Sequence, residues 1–327
     1  MKIAVDAAGG DFYPENPVKG ALEALEANDI LKVVLVGPEK VIQKELSGCD
    51  YPVERVEVFD APEVIGMNES PAQAVKSKPD SSIVKGLGIH HKGMVDGFVS
   101  AGNTGALMAA SAFILGRLDG IIRPTIASYY PTIKGMSLMI DVGANLEVRP
   151  EMLFQFGSMG NIYARDIMGI ETPRVGLLNV GEEKEKGTEL LKKTYAMLEV
   201  LPSFVGNVEG RDILLGKADV YVCDGIIGNI LLKYGESIPD AFKTLFIPVF
   251  QKNGMSEDEI KKFFGMMAQA LSPFDYQRVG GVPFLGVNGI SMVGHGGSSP
   301  RAIKNMILNA VKMAESNINK KIIASVA

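Results

Sequence analysis

Only two cysteines, Cys49 and Cys223, occur in 327 residues, and they stand far apart. They provide neither a disulfide framework nor the paired spacing of a zinc site, and they suit a reducing cytosol. A long apolar run near the amino terminus is also lacking. Met1-Lys-Ile-Ala-Val-Asp6 reads as a short strand, so export is not expected. One window without charge, Gly97 to Gly116, has about the span of a bilayer core, but its first half holds Ser100, Asn103, Thr104 and three glycines. It reads as strand, polar loop and buried helix. No excess of one charge sign exists either: 33 basic and 38 acidic residues leave −5, which argues against nucleic acid as a partner and leaves room only for a local basic patch. With no repeat, low-complexity tract or long linker, residues 1–327 are expected to form a single α/β/α domain. The 46% apolar content suffices for a large core.

Short apolar runs alternate with helical patterns. The runs are Ile3 to Val5, Val33 to Val36, Val53 to Val58, Gly97 to Val99, Thr125 to Tyr130, Met136 to Ile140, Val175 to Leu178 and Val220 to Cys223. Asn16-Pro17, Ser70-Pro71 and Ser299-Pro300 each put a capping side chain before a proline, where the missing N–H costs nothing, and so predict helix starts. Continuous apolar strands joined by helices predict a mostly parallel sheet covered on both faces, a three-layer α/β/α sandwich with ligands outside the strands' carboxyl ends. From Ser237 to Leu271 the rhythm changes to two helical stripes rich in Phe and Met, separated by Asn253-Gly254. This protruding helical hairpin serves either as core or subunit interface, or as a greasy surface for an acyl chain or membrane.

Six loops combine small residues with asparagine: Ser100-Ala-Gly-Asn-Thr-Gly105, Asp141-Val-Gly-Ala-Asn145, Asn179-Val-Gly181, Gly206-Asn-Val-Glu-Gly210, Cys223 to Asn229, and Gly286 to Ser299. If they share one edge of the sheet, they line a weakly charged cleft for an anionic or carbonyl-bearing substrate. In Gly294-His-Gly-Gly-Ser-Ser-Pro-Arg-Ala302 a glycine turn enters a capped helix, with Arg301 in the first turn; phosphate is its natural occupant. It fails as a dinucleotide fingerprint, since Ser299 replaces the third glycine. His295 can protonate a leaving group or hold an oxyanion, or serve only as a hydrogen-bonded turn residue. Cys223 reads as inert strand core, with Asp224 and Asn229 in its loop as better contacts. Lys184 and Lys186, followed by Lys192 and Lys193, form a basic patch suited to an acidic partner, or a solvated surface. The His90-His91 pair reads as surface, and no metal site or cofactor is expected.

Taken together, these loops resemble the bacterial phosphate acyltransferases of phospholipid synthesis, the PlsX type. The resemblance covers nearly the whole chain. It rests on Asp6-Ala-Ala-Gly-Gly-Asp11, Lys78-Pro-Asp-Ser-Ser82, Ser100 to Met108, Asp141 to Asn145, Leu178 to Gly187, Gly206 to Asp212, Cys223 to Lys233, Leu285-Gly-Val-Asn-Gly289 and His295-Gly. Two departures are Ala8, where the family usually has methionine, and Gly297, which lengthens the His-Gly-Ser-Ser turn. The resemblance implies a fold similar to isocitrate and isopropylmalate dehydrogenases, transfer of an acyl group from acyl carrier protein to inorganic phosphate, and a homodimer. It also implies a cytoplasmic protein peripherally bound to the membrane surface, which passes acyl phosphate to the membrane glycerol-3-phosphate acyltransferase. On this basis Ser100, Asn103, Thr104, Gly296, Ser298 and Arg301 are expected to hold phosphate. Asn179, Asn229 or His295 polarises the thioester, Asp224 and Asn145 contact substrate, and Lys184 and Lys186 meet the carrier protein. A coenzyme A-dependent phosphotransacetylase, a decarboxylating dehydrogenase and a carrier- or lipid-binding regulator are the competing readings.

Overall fold

The computed structural model describes residues 1–270 and 276–326. Its strands are β1 (Lys2–Asp6), β2 (Lys32–Gly37), β3 (Val56–Asp60), β4 (Gly97–Ser100), β5 (Thr125–Thr132), β6 (Gly135–Ile140), β7 (Val175–Leu178), β8 (Phe204–Val208), β9 (Val220–Val222), β10 (Val282–Leu285) and β11 (Ser291–Val293). They form one sheet in the order β3-β2-β1-β4-β11-β10-β5-β6-β9-β7-β8. The helices are α1 (Glu15–Ala27), α2 (Glu39–Leu46), α3 (Pro71–Ser77), α4 (Ser82–His91), α5 (Thr104–Ala110) and α6 (Pro150–Asp166). Then come α7 (Glu189–Leu198), α8 (Gly210–Leu214), α9 (Gly225–Lys252), α10 (Glu257–Ala270), α11 (Pro300–Glu315) and α12 (Ile318–Val326).

Alternation along the strands divides the core in two. Ile3 and Val5 of β1 join Val18 of α1, Phe156 of α6 and Ile307 of α11 on one face. Ala4, between them, joins Leu87 of α4, Leu107 of α5 and Tyr221 of β9 on the other, as a period of two requires. The protein is therefore a three-layer α/β/α sandwich. Each large side chain fully buried in these layers, such as Phe98 or Phe156, contributes roughly 1.5–3 kcal/mol of hydrophobic free energy.

The sheet is mostly parallel but contains a reversal. Strands β3, β2, β1, β4 and β11 run one way; β10 is antiparallel to both β11 and β5, and β5 is antiparallel to β6. Strands β9, β7 and β8 then follow β6. Two parallel blocks thus point in opposite directions. This reversal means that the six asparagine loops do not share one edge: those after β4 and β11, beside the loop after β1, leave one end of the sheet, and those after β6, β7 and β9 leave the other. The sixth, Gly206 to Gly210, lies partly within β8 itself.

Other expectations shift in detail. Helices α3 and α11 begin at Pro71 and Pro300, but α1 begins at Glu15, and Asn16 Nδ2 instead donates to Ser298 O at 2.9 Å. Val53–Arg55 is a 3-10 turn ahead of β3. The segment after Asn103 is α5 followed by a π-helical turn, Ser111–Leu115, and it is not wholly buried: Phe113 is 84% exposed. The first helix of the hairpin reaches back to Gly225, and its end at Lys252 is followed by Gly254 in the left-handed region. Leu271, the expected end of the second helix, lies outside the described residues.

His90 is not a surface residue. It is half-buried under β11, with Nδ1–H donating to Val95 O (3.0 Å) and Nε2 accepting from Ile290 N (2.8 Å). Burial holds its imidazole below the ordinary histidine value of 6.5. The unfolded chain therefore takes up a proton near pH 6.5 while the folded one stays neutral, so this group withdraws stability as pH falls below 6.5 until the folded pKa is reached. Thermal unfolding followed from pH 7.5 to 5.5 should show a smaller fall in Tm for His90→Gln than for the parent.

Candidate active site

At the ends of β1, β4 and β11 a buried carboxylate organises two glycine loops. Asp6, 1% exposed, accepts from Ser100 Oγ at 2.6 Å and from Ala8 N at 3.1 Å. Burial raises its pKa, partly offset by these hydrogen bonds and by one from Ser82. Ser100 Oγ in turn accepts from Gly102 N (2.9 Å), and Gly294 N donates to Ser100 O (2.8 Å). Asn103 caps α5 through Ala106 N (3.0 Å), and its Nδ2 donates to the carbonyls of Gly66, Met67 and Glu69. Ser100 and Asn103 thus spend their side chains on the loops themselves. Thr104, the first residue of α5, remains exposed.

The His295 loop packs against this cluster. Asp11 N donates to Gly296 O (2.9 Å), and Ser298 Oγ to His295 O (2.6 Å). Gly297 N donates to His295 Nδ1 (3.1 Å), so the neutral ring carries its proton on Nε2. Ser299 Oγ accepts from Ala302 N and caps α11, placing Arg301 in the first turn. The Asp11 carboxylate stands over Gly296, where a Cβ would come within 3.1 Å of it.

A second cluster sits at the ends of β6 and β9. Asp141, fully buried, accepts from Ala144 N (3.1 Å), Asn145 N (2.7 Å) and Asn145 Nδ2 (2.8 Å); burial raises its pKa too. Asn145 Nδ2 also donates to Pro124 O at 2.9 Å. Asp224 Oδ1 caps α9 through Ile226 N and Ile227 N, both 2.9 Å. Asn229 is not in the loop, as expected, but in the second turn of α9, where its Nδ2 donates to Val142 O (3.3 Å). Cys223 donates to Asp141 O, and burial pushes its thiol well up, so it is inert core.

Asn179 belongs to a third cluster. Its Nδ2 bonds Lys186 O and Asn207 Oδ1, both 3.1 Å. Lys184 is paired with Glu199 (2.7 Å) and lies 5.3 Å from the Tyr195 ring centre, whereas Lys186 makes no ion pair among the described residues. The structure therefore gathers Ser100, Asn103, Gly296, Ser298 and His295 in one place, and Asn145, Asp224 and Asn229 in another. Asn179, Lys184 and Lys186 stand apart from both. Sequence reasoning missed Asp6 and Asp141 as organisers, although each ends an apolar strand before a glycine loop, which is the available signal.

On the face covered by α5, a pocket of about 140 Å³ opens between the end of that helix, the start of β5 and the loop after β6. Met108, Ala109, Ala112, Phe284 and Val287 form its apolar walls; Arg123, Thr125 and Asn145 supply the polar ones. Register fixes its depth. Val293 lies opposite both Ser100 and Val282, and Thr125 opposite Leu285, three residues further along β10, or roughly 10 Å below the Ser100 level.

Solved structures with a similar fold include phosphotransacetylases. A phosphotransacetylase from Streptococcus pyogenes superposes with a TM-score of 0.63 at 16% identity, covering 96% of this chain and 94% of that one. Sequence comparison goes further. The family described as "Fatty acid synthesis protein" matches residues 1–321. A phosphate acyltransferase of Salinibacter ruber is 47% identical over 321 residues, covering 97% of this chain and 95% of its own. That of Chlorobaculum parvum is 48% identical over 335 residues, covering 99% and 98%. The chain belongs to the phosphate acyltransferase family and is an acyltransferase.

Close approach of α9 to Asp141 ties the second cluster together. A Cβ on Gly228 would fall on Asp141 O. Gly228→Ala should lower unfolding stability by roughly 1–3 kcal/mol, the usual cost of overpacking, and calorimetric melting beside the parent checks it.

Proposed function

We propose that the chain transfers a long-chain fatty acyl group from acyl carrier protein to inorganic phosphate, forming acyl phosphate for phospholipid synthesis. Family membership supplies the reaction class; the observation that carries the site assignment is the His295 loop running into the capped start of α11. Backbone N–H groups of a helix start favour an anion, and Arg301 adds a positive charge in the first turn. Phosphate is assigned to the Gly296 N–H, Thr104 and Arg301 at the entry to α11, with Ser298, Ser100 and Asn103 shaping the loops beneath it, since Gly297 N and Ser298 N already donate to His295. A phosphate oxygen attacks the thioester carbonyl while His295 Nε2–H hydrogen-bonds the developing oxyanion; the carbon–sulfur bond then breaks, and the thiolate takes up the proton released by the hydrogen phosphate. Phosphate is already an anionic nucleophile, so positioning and oxyanion stabilisation suffice without a covalent enzyme intermediate.

Of the three carbonyl-side candidates His295 is favoured, because Asn229 and Asn179 stand at the opposite strand ends. His295→Ala should lower kcat for acyl phosphate formation roughly 100-fold or more, the scale of a lost oxyanion donor. Asn179→Ala and Asn229→Ala should change it by severalfold at most. Mass detection of acyl phosphate from acyl carrier protein and phosphate measures all three, and unchanged turnover in His295→Ala would sink the assignment.

The carrier protein is assigned to the Lys186 side of the third cluster, where Lys184 is already neutralised by Glu199. Lys186→Glu should raise KM for the carrier substrate at low ionic strength, with the difference shrinking as salt is added. The hairpin carries the remaining contacts. Phe263 and Phe264 pack on Phe246 and Phe250 within it, at ring separations of 4.8 to 6.2 Å, so they join its two helices. The outward surface is on α9, where Ile230, Tyr234, Leu245 and Val249 are exposed and only Gly225 and Gly228 are buried. We assign this surface to a second copy of the chain and to peripheral contact with the cytoplasmic membrane face. No helix among the described residues is long and apolar enough to cross a membrane. Acyl phosphate would leave there for the membrane glycerol-3-phosphate acyltransferase.

A further inference from the structure

The pocket between α5 and the loop after β6 is lined by Asn145, whose carboxamide orientation is fixed. Both N–H bonds of the Asn145 carboxamide are used, one on Asp141 Oδ2 (2.8 Å) and one on Pro124 O (2.9 Å). Both partners are acceptors in these bonds, so a flipped amide would set Oδ1 against two oxygens. Asn145 Oδ1 is thereby held in one orientation, with no donor to it among the described residues. Around it the walls are apolar, and Thr125 on the same wall carries a buried hydroxyl without a partner. Arg123 lies exposed at the rim and forms no ion pair among the described residues.

We propose that this pocket binds the amide-bearing thiol arm of the acyl donor, with Asn145 Oδ1 accepting an amide N–H of the arm. The inference rests on the reading of the chain as an acyltransferase that draws on a thioester carried by a protein. The chemistry selects an amide over the alternatives. Inorganic phosphate would call for several donors and few apolar walls, and a hydrocarbon chain would leave both the Asn145 acceptor and the Thr125 hydroxyl unpaired, at a cost. A pantetheine-type arm offers an N–H to Asn145, a carbonyl to Thr125, and methylene and methyl groups to Met108, Ala109 and Phe284. Its phosphodiester end suits Arg123. The pocket is also placed for it. It lies roughly 10 Å along the strands from the level of Ser100, so a thioester held beside the His295 loop can extend its arm along α5 into this space. Asp141 then acts as a positioning residue, setting the direction of Asn145 without touching substrate.

Two soluble donors with the same acyl group test this: an N-acetylcysteamine thioester, which keeps the amide, and a simple alkanethiol thioester, which lacks it. The parent enzyme should favour the amide donor about tenfold in kcat/KM, the scale of one well-placed hydrogen bond in a dry pocket. Asn145→Leu should bring the ratio close to one. Because the ratio is taken within each variant, a reduced folded fraction cancels. Ala112→Phe, at an exposed position that leaves Asp141 untouched, fills the pocket and should also abolish the preference. Arg123→Ala should slow turnover of the carrier-borne donor and spare the two short ones. A parent without preference, or Asn145→Leu and Ala112→Phe variants that retain it, would overturn the proposal. Failure of the parent to make acyl phosphate even from acyl carrier protein would instead refute the underlying acyltransferase reading.

Discussion

Two buried carboxylates hold the loops of this protein in place. An unpaired carboxylate in a dry interior costs several kcal/mol or neutralises, so Asp6 and Asp141 are tolerable only because hydrogen-bond donors converge on them. Those donors come largely from the residues that immediately follow: Ala8 for Asp6, Ala144 and Asn145 for Asp141. Each aspartate thereby fixes the conformation of its own loop and also the side chain of Ser100 or Asn145. Burial raises the pKa of both groups, and these hydrogen bonds work against that rise. Side chains that would be substrate ligands if judged by type alone, Ser100 and Asn103 above all, are committed to this scaffold.

The fold was largely legible because it depends on local pattern. Runs such as Val33 to Val36 and Thr125 to Tyr130 are apolar throughout, as strands covered on both faces must be, and Ser299-Pro300 marks a helix start by cap chemistry alone. Strands β10 and β11 were hidden, because only three or four residues of each sit in a glycine-rich stretch that reads as loop. The reversal of strand direction was hidden for a deeper reason. Whether β10 pairs parallel or antiparallel is decided by neighbours remote in sequence, and no periodicity within Val282–Leu285 records it.

That one reversal also limited what could be read of the site. Residue type indicated Asn145, Asp224 and His295 as polar groups in loops at strand ends, which is where they are, whereas Asn229 lies in the second turn of α9. Which end each belongs to follows from topology, and so the division into clusters could not be foreseen. Arg123 and Thr125 were passed over because a lone arginine and a strand threonine carry no motif; only the pocket connects them to Asn145. His90 illustrates the converse. Its neighbour His91 is exposed, and the pair looks uniform in sequence, yet a single helical step puts one ring under β11 and the other in solvent.

The sparse burial of α9 makes stability uneven along the chain. Its root is held by the Asp224 cap and by Gly228 against Asp141, whereas beyond Tyr234 it adds almost nothing to either core cluster. The hairpin is in this sense a separate unit of unfolding. It can open or exchange its backbone hydrogens while all eleven strands stay paired. Substitutions on its outer surface therefore bear hardly at all on the folding of the catalytic sheet.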